Sequence, residues 1–144
     1  MSGGRIPIRL RAQVLARDAE RCAFCRCAAS LMGVTFEIDH ITPRGAGGAT
    51  VLANLCLCCP TCNRHKAART MITDPEGGER VALFHPVRDL WKAHFEWCDA
   101  ATTIAGRTAP GRATVDALRM NRPAIVELRR YWAATGRHRS QVDE

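Results

Sequence analysis

The chain is short of the features that would place it in a membrane or among fibrous and disordered proteins. No stretch of its 144 residues approaches the roughly 18 consecutive apolar residues that a membrane-spanning helix needs. Arg5, Pro7 and Arg9 interrupt the opening before any apolar run of leader length. The expectation is therefore a cytoplasmic chain with no cleaved signal peptide and no membrane partner. Internal repeats are absent and low-complexity sequence almost so. With 47% hydrophobic and 24% charged residues, this composition excludes wholesale disorder and collagen-like or fibrous architectures. Lysine is scarce as well, with only Lys66 and Lys92 among 21 basic residues. The length fits one domain, or one small domain with an accessory region.

What is abundant is positive charge and cysteine. The net charge is +7, and it is unevenly placed: residues 1–70 hold ten Lys or Arg against four Asp or Glu, whereas residues 71–144 hold eleven against ten. A basic first half is the electrostatic footprint of a nucleic-acid binder, because each cation near a phosphate displaces a condensed counterion. Of the eight cysteines, Cys22-Ala-Phe-Cys25 and Cys59-Pro-Thr-Cys62 form two C-x2-C pairs. Each pair is short enough for both thiolates to enter one tetrahedral zinc site. A disulfide framework belongs to small secreted chains and does not suit this one. Cys56-Leu-Cys58-Cys59 offers a competing C-x2-C. Pro60-Thr61 supplies a turn between Cys59 and Cys62, so that pair is preferred, and Cys27, Cys56, Cys58 and Cys98 read as small buried hydrophobes.

Local patterns give the order of elements. Residues 7–19 read as a short basic amphipathic helix with Ile8, Leu10, Val14 and Leu15 as its apolar positions. Residues 34–41 alternate apolar and polar with β-branched enrichment, a strand with Asp39 and His40 at its end. Pro43 to Gly48 is loop, 54–57 a second strand, and the breaker-free run from Cys62 to about Thr70 a helix. Asp74 to Glu79 is a polar breaker cluster, taken as the boundary between a core at 1–73 and an accessory region at 74–144. In that region, 94–106 suggests a hairpin and Gly111 opens a short helix. Asn121 serves as cap for a last helix carrying Ile125, Leu128 and Trp132.

Cys-x2-Cys, then Ile38-Asp39-His40-Ile41-x-Pro43 with Gly47-Gly48, then Asn54-Leu55 and Cys-x2-Cys-Asn63-x2-Lys66 resembles the HNH endonucleases of the ββα-metal (His-Me finger) superfamily. The resemblance covers about residues 17–70. It implies an α+β fold, a small ββα-metal finger braced by a four-cysteine zinc, with an N-terminal helix and an α/β C-terminal tail. One position departs from the common pattern, since Asn63 stands where the third signature residue is often His, which makes this an H-N-N variant. By resemblance, Asn54 hydrogen-bonds the wide loop and orients His40 without touching substrate.

The chemistry of phosphodiester hydrolysis asks for the same residue types. Neutral imidazole is a competent base at neutral pH, a role for His40. A hard divalent cation takes oxygen ligands, which Asp39 and the Asn63 amide supply to Mg2+ or Mn2+. Arg44, Arg64, His65 and Lys66 are candidate phosphate contacts. The expected function is a metal-dependent endonuclease cutting nucleic acid, double-stranded DNA first, to 5′-phosphate and 3′-hydroxyl ends. The alternative is a non-catalytic zinc-ribbon module that binds nucleic acid or protein.

Overall fold

The computed structural model of the chain describes residues 5–138; the opening residues 1–4 and the last six, 139–144, lie outside that range. The fold is α+β, with short helices and three two-stranded antiparallel sheets. It divides into two compact units: the first runs to Thr70 and includes His85–Asp89, and the second comprises Met71–Phe84 and the chain from Leu90 onward.

The first unit opens with α1, Ile8–Arg17. Val14 is its buried side chain, with Ile6 buried just ahead of it, while Ile8, expected on the apolar face, is 86% exposed. Arg17 and Asp18 fasten the end of this helix: Arg17 donates to the Leu52 carbonyl at 2.7 Å, and Asp18 Oδ2 accepts the Leu57 amide at 2.8 Å. Strands β1, Glu37–His40, and β2, Leu55–Cys58, pair antiparallel, with Ile38 opposite Leu57, Asp39 opposite Cys56 and His40 opposite Leu55. β1 is shorter than the alternation from 34 suggested. β2 is buried on both faces, which suits its Leu-Cys-Leu-Cys sequence.

Helix α2, Pro60–Lys66, begins two residues earlier than expected and ends earlier too. Pro60 starts the helix, where its missing N–H costs nothing, and the Cys59 sulfur accepts the Cys62 amide as an N-cap. Ala67, at φ 51°, takes the chain out of helical geometry.

The second unit is held by hairpins and helices. Strands β3, Met71–Thr73, and β4, Arg80–Ala82, pair across a turn made by the Asp74–Glu79 cluster. A one-turn helix α3, Trp91–His94, leads into β5, Phe95–Cys98, which pairs with β6, Thr103–Gly106. Helices α4, Ala109–Ala117, and α5, Pro123–Ala134, complete it. Thr108, with its hydroxyl accepting the Gly111 amide at 3.1 Å, caps α4. Asn121 does not cap α5, whose N-cap is Arg122; it bridges both backbone groups of Ile104 instead, at 2.8 Å each. On α5 the buried face is Ile125, Arg129 and Trp132, and Leu128 is 37% exposed.

Candidate functional site

The sulfur cluster braces the first unit. Cys22, Cys25, Cys59 and Cys62 are buried, and their sulfurs lie within 4.8 Å of one another. Four thiolates around a tetrahedral zinc, with Zn–S of about 2.3 Å, stand roughly 3.8 Å apart; Cys25 and Cys59 are 3.8 Å apart. The donor set and its spacing therefore fit zinc. The loop between the first two ligands closes on itself, with the Cys22 amide donating to the Cys27 carbonyl at 2.9 Å and Arg26 held at φ 66°. Cys27, read as a plain buried hydrophobe, is buried and adjoins the cluster, its sulfur 3.2 Å from that of Cys25. Burial pushes the Cys22 thiol up, yet hydrogen bonds from Cys25, Cys27, Cys58 and Cys59 outweigh it and hold Cys22 well below the ordinary thiol range. Cys56 behaves oppositely: burial, and then the Asp39 charge, keep it a neutral thiol. Among the described residues, these four cysteines are the one group of three or more His, Cys, Asp or Glu ligand atoms gathered so closely.

Asp39 and His40 sit at the end of β1 as expected, and both are buried. His40 Nε2 is 2.8 Å from the Thr50 hydroxyl, and its Nδ1 is buried with no hydrogen-bond partner. Burial pulls the His40 pKa below the usual histidine range; Asp39 opposes the shift, and the charges of Arg44 and Lys66 add to it. The imidazole is therefore neutral at neutral pH. Asp39 Oδ2 lies 2.8 Å from Lys66 Nζ. The approach is that of an ion pair rather than an aligned hydrogen bond, for Oδ2 is a buried oxygen without a hydrogen-bond partner.

Lys66 corrects an expectation. A candidate phosphate contact by sequence, it is fully buried, paired with Asp39 and donating to the His40 carbonyl at 3.2 Å. A side chain so placed fixes Asp39 and the strand end and is closed to substrate. Asn63 lies one turn earlier on α2, half-buried, with its Nδ2 donating to Glu37 Oε1 at 2.8 Å. Arg44 and Arg64 are exposed and His65 half-buried, its carbonyl accepting from the Arg69 guanidinium.

Asn54 staples the wide loop. Its Oδ1 accepts the Thr42 amide at 2.9 Å, and its Nδ2 donates to the carbonyls of Thr42 and Ala49 at 3.0 and 2.9 Å. Gly48 is obligatory at this crossing, since a Cβ there would stand 1.8 Å from the Thr42 carbonyl oxygen. Through this staple the loop delivers Thr50 to His40. Thr50 and Glu37 are the contacts that reading the sequence missed. Thr50 carries no local signal, whereas Glu37, two residues before Asp39 in an alternating strand, falls on the same strand face. His85 and His94, by contrast, serve local structure: His85 Nδ1 accepts the Val87 and Arg88 amides, and His94 Nδ1 meets the Thr108 hydroxyl.

The first unit thus combines a buried Asp and His at a strand end, a stapled loop, a following helix that brings an asparagine, and a four-cysteine cluster. Residues 22–69, a third of the chain, match the family model described as HNH endonuclease. Comparison with curated proteins and with solved structures found no match for the chain.

Proposed function

We propose that the HNH segment is a metal-dependent endonuclease that hydrolyses phosphodiester bonds of double-stranded DNA, leaving 5′-phosphate and 3′-hydroxyl ends. In this reading residues 1–73 form the catalytic core and 74–144 an accessory region. The observation that carries it is a buried polar atom without a hydrogen-bond partner, His40 Nδ1, directly after a buried carboxylate, Asp39, whose Oδ2 is paired with Lys66. Leaving such an atom unsatisfied costs about 1–3 kcal/mol, a cost that makes sense where a water or a cation is to be met.

The donors suit a hard cation. Asp39 and Asn63 offer oxygens, and Mg2+ and Mn2+ take oxygen ligands. When bound there, such a cation supplies charge relief at the phosphate and at the departing 3′-oxygen. The remaining work falls to the chain itself. Thr50 engages Nε2 of His40, which presents Nδ1 to accept the proton of an attacking water. Burial keeps that nitrogen unprotonated at neutral pH. Lys66 holds the Asp39 carboxylate, and Asn54 holds the loop that brings Thr50. Arg44, Arg64 and His65 are the groups assigned to backbone phosphates in this reading.

A plasmid-nicking assay with and without Mg2+ tests the reading. His40→Ala should bind DNA but lose about 10²- to 10⁴-fold in single-turnover cleavage, the usual range for a missing general base. Asp39→Ala should also fail, with partial recovery at high Mn2+ because its defect is a lost ligand. Cleavage should decline on the acid side, below the ordinary histidine range of about 6.5. Near wild-type cutting by His40→Ala would overturn the mechanism. DNA binding by the wild type with no divalent-dependent cutting would favour the zinc-ribbon binding module.

A further inference from the structure

We propose that Glu37 is a positioning residue of the candidate metal site, accepting the Asn63 amide N–H and so deciding which end of that amide is left free. The inference rests on the reading of Asp39 and Asn63 as oxygen ligands. Asn63 Nδ2 donates to Glu37 Oε1 at 2.8 Å, and among the described residues the Asn63 side chain makes no other hydrogen bond.

A carboxylate has only lone pairs to offer. The amide can therefore meet Glu37 only through its NH2 group, and its Oδ1 is left without a partner. The opposite flip would set two oxygens against each other. An asparagine in a site usually owes its orientation to a network of neighbours; here one acceptor-only partner settles it.

The placement follows from two periodicities. Glu37 and Asp39 share a face of β1, being two residues apart, and Asn63 and Lys66 share a face of α2, being three apart. The contacts Glu37–Asn63 and Asp39–Lys66 are thus the same strand-to-helix crossing repeated one step along. The inner crossing is buried and pairs a carboxylate with an ammonium; the outer one is open to solvent and pairs a carboxylate with an amide. Glu37 is not gathered with Asp39 and His40 into a ligand cluster, which gives it a path to the metal through Asn63 and not as a ligand in its own right.

The test is a double-mutant cycle on the full, zinc-loaded chain, with Mn2+ as the probe and its binding followed by the paramagnetic resonance signal of the free ion. Glu37→Leu, which removes the acceptor, should weaken Mn2+ binding by about tenfold, the lower end of the 10- to 100-fold typical when a ligand's outer partner is lost. In the Asn63→Ala background the same change should cost less than about twofold, since the residue through which Glu37 acts is gone. Glu37→Gln, which keeps one acceptor oxygen but can also turn its NH2 group towards Asn63, should fall between wild type and Glu37→Leu. An equal loss in both backgrounds would mean that Glu37 acts by its own charge or as a ligand, and no loss with Asn63 present would mean that it does not act; either overturns the proposal while the metal reading stands. Failure of the wild type to bind Mn2+, or binding by Asp39→Ala as tight as wild type, overturns the metal reading and this inference with it. Circular dichroism and zinc content establish that each variant is folded.

Discussion

The two units solve the same problem, a core too small to hold itself, with different materials. The first buries seven of the eight cysteines and has two aromatic rings, Phe24 and Phe36; the second has one cysteine, Cys98, and six aromatics. In the second, Phe84 and Phe95 meet edge-on at 4.9 Å, and Trp91 lies 5.1 Å from Phe95. Each unit also buries one long cation. Lys66 is 0% exposed beside the Asp39 carboxylate; Arg129 is 1% exposed, donating to the carbonyls of Thr102 and Met120, with its guanidinium 5.3 Å from the Trp97 ring centre. Where strands are four residues long and the helix that carries Cys62 is seven, a buried sulfur cluster with the spacing of a zinc site takes the place of apolar area. Where rings are plentiful, packing suffices.

The largest effect that would break this comparison is metal removal. Structural zinc contributes apparent free energies of about 10–16 kcal/mol in small finger peptides, as much as the whole stability of an ordinary domain. Stripping zinc with a chelator under reducing conditions, or replacing Cys22 and Cys25 by Ser, should expose the amides of Ala23, Arg26 and Leu57 to hydrogen exchange. The Thr102, Ile104 and Leu118 amides should keep their protection. Elemental analysis of the wild type should find about one zinc per chain. Equal loss of protection in both units would show that one metal-dependent core spans the chain and would end the distinction.

The two buried cations come next. Lys66→Met leaves Asp39 buried with no countercharge and should cost about 3–5 kcal/mol in denaturant unfolding. Arg129→Met takes the donor away from the Thr102 and Met120 carbonyls and the Asn121 amide oxygen, a cost of about 1–3 kcal/mol. The double change Lys66→Met with Asp39→Asn should recover much of the first loss, because what hurts is the stranded charge. If Arg129→Met proves the costlier, the second unit depends on its polar centre more than on its rings.

How much of this was legible in the sequence depended on range. Ligand spacing and strand alternation are local, and the cysteine pairs, the strand ending in Asp39-His40 and the hairpin at 95–106 were all readable from them. The start of α2 was missed because Pro60 reads as a turn unless Cys59 is recognised as the cap before it. The β3–β4 hairpin was hidden because strands of three residues carry no period, and only the breaker cluster between them showed. The fates of Lys66 and Arg129 were not readable, since both look like solvated charges until their partners, 27 residues away in each case for Asp39 and Thr102, are brought near by the fold. Ile8 and Leu128 failed in the reverse sense, apolar residues at helical spacing that face water.

The smallest effect concerns acid, and its sign sharpens the contrast. In the second unit two groups have folded pKa values below their ordinary ranges. Burial lowers His138, against the opposing hydrogen bond to the Ala101 carbonyl, and the Arg112 guanidinium lowers Asp74. For each, the unfolded chain takes up its proton at a higher pH than the folded one, so stability is present above the unfolded pKa and is lost as pH falls through the folded value. The unit should therefore weaken gradually in two steps, one starting near the free histidine value of about 6.5 and one starting near the free aspartate value of about 3.9. Urea midpoints of the second unit's transition measured against pH should show both steps, with His138→Asn removing the upper and Asp74→Asn the lower. The first unit has a steeper route to failure, because protonation of its thiolates releases the metal. Its exchange protection should collapse over a narrow pH interval in step with zinc release, and loss of protection before zinc leaves would place the acid-sensitive element in the packing around the cluster and not in the cluster itself.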